Sequence, residues 1–205
     1  MKEILQKKGI KTLYHFTRAE NLDNIFKYGI VPRTILSEKN IDSFYNDDYR
    51  YDACMNAVCI SIEFPNYKMF YKLRMDNPQS DWVVLKLSAK ILCDFKCAYC
   101  WTNAGDANVY NIPLEEREDE KAFVDLFNNK LGYPEREMLQ ISDCYPTNPQ
   151  AEVLVFGIIP VQYIQAVHFE NSEVMNKYLK FTPNKISSIN ASVFGPREDW
   201  KLWKS

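Results

Sequence analysis

Glycine and histidine are scarce in this chain: six glycines and two histidines among 205 residues. With so few glycines there is no phosphate-cradling loop and no dinucleotide fingerprint, and neither a nucleophile elbow nor an HExxH helix is present. An excess of one charge is also missing. The formal net charge is −2, so the composition does not advertise a nucleic-acid binder, although a local basic groove is compatible with a neutral total. No apolar run reaches the roughly 18 residues of a membrane span, and no internal repeat is found. The opening MKEILQKKGIK lacks the apolar stretch and small-residue cleavage site of a secretory leader. These absences predict a cytoplasmic protein with no membrane partner.

What is present suits a packed core. The chain is 46% hydrophobic and 14% aromatic, enough for one domain over residues 1–205. Six cysteines make an even count, but a chain of this length needs no disulfide frame, and they read as reduced and mostly buried.

The order of patterns predicts α+β. TLYHF, Thr12 to Phe16, alternates and reads as a strand. TRAE, Thr17 to Glu20, reads as a capping box opening an amphipathic helix that stops at Gly29. A polar stretch from Ile35 to Met55 reads as a long functional loop. AVCISI, DWVVLKLS, CAYCWT, EVLVF and YIQAVHF read as further strands. PNYKMFYKLR, EDEKAFVDLFNNKLG and NSEVMNKYL read as helices, and EDWKLW as a last strand or a docked end. About six strands and four short helices without βαβ alternation imply a mostly antiparallel or mixed sheet.

Cys93, Cys97 and Cys100 have the C-x3-C-x2-C spacing of an iron–sulfur motif. Too little chain follows for the long barrel such enzymes need, and a strand carrying Cys97, Tyr99 and Trp101 on one face explains the segment more simply. Zinc on the three thiolates would need a distant fourth ligand. No metal is expected.

Glu152 is the residue whose placement asks for a reason. It stands where the polar NPQA turns into the apolar VLVF. A carboxylate at the mouth of a buried strand is costly unless it is solvated, paired or used. A partly buried site of this kind is expected to raise its pKa. His15 and Thr17 sit at the end of the first strand. Arg50 lies among Asp47, Asp48 and Asp52, and Arg74 closes a helix. Each taken alone also has a bland reading: packed histidine, helix cap, surface ion pair, dipole partner.

Taken in order, LYHFTRAENLDNIFKYGIVPR followed by NPQAEVLVFGIIPVQYIQAVHF resembles the DarT family of DNA ADP-ribosyltransferase toxins. The carrying residues are His15, Phe16 and Thr17 before a helix with its Gly29-Ile30 exit. After them come Gln150, Ala151 and Glu152 opening an apolar strand that ends at Pro160. The resemblance implies an ADP-ribosyltransferase-like fold and transfer of ADP-ribose from NAD to a base of single-stranded DNA, with nicotinamide released. It implies Glu152 and Arg50 as catalytic residues, with Arg74 the reserve arginine. It implies His15, Phe16, Thr17, Asn24 and Arg50 as NAD contacts, with the positive end of a helix starting at Arg18 near the anionic cofactor. Tyr133, Tyr145 and Arg74 are implied as contacts for the base, in the loop from Tyr133 to Gln150. A macrodomain antitoxin is implied as partner. RYDACMNAVCIS replaces the proline- and glycine-rich segment of the thymine-modifying branch, which brings the chain closer to the guanine-modifying branch. The alternatives are a transferase of the same fold acting on RNA or protein, and a non-catalytic NAD- or nucleic-acid-binding module.

Overall fold

A computed structural model describes residues 1–44, 54–182 and 186–203. Its centre is one seven-stranded sheet. In chain order the strands are β1 (Thr12–Arg18), β2 (Ala57–Ile62), β3 (Trp82–Ser88), β4 (Cys97–Cys100), β5 (Glu152–Phe156), β6 (Ile164–Phe169) and β7 (Ile186–Ile189). Their spatial order is β4-β5-β2-β1-β3-β6-β7. All neighbours are antiparallel except the β6–β7 pair, which is parallel. Four helices flank the part of the sheet that matters here: α1 (Lys2–Lys8), α2 (Leu22–Tyr28), α3 (Arg33–Glu38) and α4 (Tyr67–Asp76). The architecture is α+β, as the strand and helix patterns predict.

The alternation of each strand divides the core between the two faces of the sheet. Leu13, Val83, Leu85, Val153, Val155 and Val167 pack on the α1 and α2 side with Leu5, Leu22 and Ile25. On the other side Phe70 of α4 packs with Trp82, Val84 and Phe194, and Phe16 stacks on Phe70 with ring centroids 4.5 Å apart. A third cluster, with Ala98, Cys100 and Leu154, fills the β4–β5 end.

The sheet is not uniformly paired. β1 follows β3 along its whole length, from Thr12 opposite Ser88 to Arg18 opposite Trp82. Against β2 it pairs only at Leu13 with Ile62 and Tyr14 with Ser61. Beyond Tyr14 the two central strands diverge, and a cleft opens between them. Gly29 closes α2 at the edge of this cleft with φ 87°. Ile30 then forms a bridge with Ile159, and a Cβ on Gly29 would lie 2.6 Å from the Ile159 carbonyl oxygen.

Several sequence expectations are corrected. Thr17 is inside β1 and is not a helix cap. A 3-10 turn, Ala19–Asn21, intervenes, and α2 starts at Leu22 without a side-chain cap. The TRAE pattern lost because β1 continues to pair with β3 through Arg18. The helix expected over residues 118–132 shortens to Glu120–Asp125. β7 was missed: ISSI is short and half polar, and it becomes a strand only by pairing beside β6. EDWKLW is a docked end, a 3-10 turn over Trp200–Trp203 with Trp203 buried. No helix among the described residues is long and apolar enough to cross a membrane.

Two consequences are measurable. Gly29→Ala combines a left-handed backbone with a backbone clash and should lower unfolding free energy by about 2–3 kcal/mol in urea titrations. His168 is buried on β6, with Nδ1 2.9 Å from the Ser188 hydroxyl on β7. Burial holds its imidazole below the ordinary 6.5, and Lys86 adds repulsion. The folded state therefore resists a proton that the unfolded chain accepts. This contribution is intact above pH 6.5 and stability falls as the pH drops below it. His168→Gln should flatten the stability profile between about pH 6.5 and 5.

Candidate active site

β5 begins at Glu152, opposite Cys100 of β4. The carboxylate is only 6% exposed, so its neighbours must supply donors in place of water. Its Oε1 accepts from Asn66 Nδ2 at 3.0 Å and from Asn103 Nδ2 at 3.3 Å, and its Oε2 accepts from the Ala104 N–H at 3.0 Å. Each amide is oriented by a second bond. Asn66 caps α4, its Oδ1 accepting from the Met69 N–H at 3.2 Å, while Asn103 Oδ1 accepts from the Gly105 N–H at 2.9 Å. With the oxygen ends engaged, the nitrogen ends face Glu152. Three such donors favour the carboxylate over the carboxylic acid. These donors act against the desolvation that burial imposes.

Glu152 lines the cleft at the sheet split, together with His15, Phe16, Thr17 and Asn24. His15 spans the divergence, its Nδ1–H donating to the Cys59 carbonyl at 2.9 Å. That bond replaces a lost ladder bond and identifies Nδ1 as the protonated nitrogen. Thr17 Oγ1 accepts from Asn21 Nδ2 at 2.9 Å. Asn21 was missed in the sequence. It is buried, and its amide also donates to the Phe44 carbonyl and accepts from the Phe44 N–H, both at 2.9 Å. Asn24 donates to the Asp42 carbonyl at 2.7 Å. Asn21, at the end of the 3-10 turn, and Asn24, in the first turn of α2, thus fasten residues 42–44 along the cleft. Tyr14 lines the same cleft, its phenol pushed up to about 12 by burial, with the Glu63 carboxylate adding to the effect.

The other sequence candidates go elsewhere. Arg50 lies outside the described residues. Arg74 does not line the cleft. It pairs with Glu170 at 2.8 Å, donates to the Phe194 carbonyl at 2.6 Å, and lies over the Phe70 and Phe194 rings. Its assignment to a base, or as reserve active-site arginine, is corrected: it ties α4 to the far face of the sheet. Tyr133 meets Trp101 edge-on at 5.3 Å and Trp203 at 6.2 Å, outside the cleft. Tyr145 packs against Phe64 and lies under Arg197. Both rings are engaged in packing, a role that isolated tyrosines in a polar loop do not reveal. The cysteine motif disperses too. Cys93 is exposed, while Cys97 and Cys100 enter core clusters on opposite faces of the sheet. Burial pushes the Cys97 thiol up to about 12, away from the thiolate a metal requires. Among the described residues no group of three or more His, Cys, Asp or Glu side chains is placed to hold a metal ion.

A split sheet whose cleft is lined by a buried, amide-held glutamate and by the His-x-Thr of β1 fits the ADP-ribosyltransferase class of fold. Residues 14–194 match the family model described as "DarT: ssDNA thymidine ADP-ribosyltransferase, DarT", and the chain belongs to the DarT family. Solved structures share the fold. Thermus sp. 2.9 DarT in complex with carba-NAD+ superposes with TM-score 0.63 at 14% identity, covering 90% of this chain and 97% of that one. The same protein with ADP-ribosylated ssDNA gives 0.56 at 12% identity, covering 90% and 96%. Thermosipho africanus DarTG in complex with ADP-ribose gives 0.60 at 16% identity, covering 90% of this chain and 51% of that one. The chain thus spans about half the length of the Thermosipho protein. Comparison with curated protein sequences gives no match.

The Asn66–Glu152 contact can be tested by stability. Asn66→Ala removes a donor to a buried charge and a helix cap and should cost about 2–4 kcal/mol. Asn66→Asp should cost more at pH 7, because two carboxylates would then meet. Part of that loss should return at pH 5, as one of them takes a proton. Equal behaviour of the two variants at both pH values would contradict the contact.

Proposed function

We propose that residues 1–205 act as one ADP-ribosyltransferase unit, a toxin that transfers ADP-ribose from NAD to a base of single-stranded DNA and releases nicotinamide. The observation that carries this reading is Glu152, whose carboxylate accepts from three N–H donors and lines the same cleft as His15 and Thr17. Family membership supports it, as do the Thermus relatives solved with carba-NAD+ and with ADP-ribosylated ssDNA. The cleft suits NAD in kind: apolar walls for its rings and polar groups at a few fixed points. Glu152 stabilises the positive charge that develops on the ribose as nicotinamide leaves. Its fixed orientation means little reorganisation is needed at that moment. His15, Phe16 and Thr17 form the wall against which NAD is positioned. Asn24 and Asn21 keep residues 42–44 in place beside it. Arg50 is assigned, by resemblance, to the cofactor or the extruded base.

Guanine is the favoured acceptor, because the segment after Arg50 lacks the proline- and glycine-rich run of the thymine-modifying branch. The description of the family names thymidine, and thymine is the alternative. The resemblance further assigns a macrodomain antitoxin that removes the modification, and a toxin that acts on DNA suits a cytoplasmic setting.

Nicotinamide release from NAD, measured with single-stranded oligonucleotides of each base composition, tests the proposal. One composition should stimulate release and gain the mass of ADP-ribose. Glu152→Gln should lower the rate by about 10²–10³-fold with the fold intact, and His15→Ala should raise the KM for NAD. Release with no oligonucleotide would point to an RNA or protein acceptor. An unchanged rate in Glu152→Gln would leave Glu152 as a strand end.

A further inference from the structure

The ten residues that lead into Glu152, 142–151, form no helix or strand, yet Pro146, Thr147, Asn148 and Pro149 are buried. Two arginines account for this. Arg136 donates through Nη1 to the Tyr145 carbonyl at 2.8 Å and to Thr147 Oγ1 at 3.2 Å, and through Nη2 to the Ser142 carbonyl at 2.9 Å. Arg197 lies just before the last 3-10 turn and donates to the Pro146 carbonyl at 2.8 Å and the Thr147 carbonyl at 2.9 Å. Its own charge is met by Asp199, at 2.7 Å from Nε and 2.6 Å from Nη2, and Asp199 also accepts from Trp203 Nε1 at 2.8 Å. The side chains of this ion pair are 3% and 0% exposed. Trp203 continues the contact to the Tyr133 ring. Two guanidinium groups therefore cover four carbonyls of one loop, those of Ser142, Tyr145, Pro146 and Thr147, which would otherwise turn to water.

A buried ion pair rarely repays its desolvation in stability, so its presence asks for a second reason. The family match ends at residue 194, so Arg197, Asp199 and Trp203 lie beyond the part of the chain matched to the family. We propose that Arg197, Asp199 and Trp203, with Arg136, are positioning residues that preform loop 142–151 as the surface that receives the nucleic-acid strand. This rests on the proposed function above. A preformed loop spares the ordering cost at binding. Capping its carbonyls with cations also removes a row of partial negative charge from the approach of a phosphate backbone.

The test is a double variant, Arg197→Leu with Asp199→Leu. It removes both charges together, so neither is left orphaned, and it deletes the two bonds to the loop. The KM for the stimulating oligonucleotide should rise by about tenfold, while the KM for NAD stays within about twofold of the parent, a split that general loosening would not produce. Amide hydrogen exchange should quicken across 142–151 while β5 stays protected. Arg136→Met should move both readouts in the same direction. Both KM values rising together, or neither moving with exchange unaltered, would overturn the brace. Should the parent chain modify no oligonucleotide, the function assigned above is what fails, and hydrogen exchange still decides the brace: unaltered exchange rejects it, and faster exchange confined to 142–151 sustains it.

Discussion

A carboxylate buried at the mouth of an apolar strand is stable only if folded elements bring donors to it. Around Glu152 that requirement organises much of the molecule. Asn66 must cap α4 so that its amide nitrogen faces inward, and the turn after β4 must present both Asn103 and the Ala104 N–H. β4 and β5 must stay in register, with Cys100 opposite Glu152. A helix start, a turn and two strands thus converge on a single charge. None of these donors lies within forty residues of it in the chain.

The second organising feature is the interrupted pairing of β1 and β2. A continuous ladder would have closed the sheet over His15. Two paired residues followed by divergence leave it, and the buried Thr17, lining a cleft, with the His15–Cys59 bond holding the two halves at a fixed spacing. Gly29 belongs to the same constraint. The chain leaving α2 passes so close to Ile159 that no side chain fits there, and that approach sets one edge of the cleft. Asn21, just before α2, and Asn24 within it then attach residues 42–44 to the cleft. Together these contacts make the cleft a property of the backbone, with its polar groups fixed before a ligand arrives.

Breaking a buried ion pair by removing one partner typically costs about 3–5 kcal/mol, because the survivor is left unpaired. The Arg197–Asp199 pair ties the end of the described chain to the loop before β5 by this means. Arg74 serves the opposite face in a comparable way, joining α4 to Glu170 and Phe194.

Local pattern by itself determined the strands around the site: alternation in TLYHF and solid apolar runs in DWVVLKLS and EVLVF were enough. It determined the end of α2 at Gly29 and singled out Glu152 as a charge in need of a reason. The order of the His15 and Glu152 motifs carried the family. Only the tertiary structure decided that Thr17 belongs to β1, because pairing with β3 outweighs a local capping pattern. It alone placed Asn66, Asn103 and Asn21, since an asparagine in a sequence has no visible partner until distant segments meet it. It moved Tyr133, Tyr145 and Arg74 out of the candidate site, as aromatic and guanidinium groups pack or bind according to neighbours 32 to 120 residues away. Periodicity is written in consecutive residues and can be read there. Hydrogen-bond partners of buried polar groups are chosen by the fold.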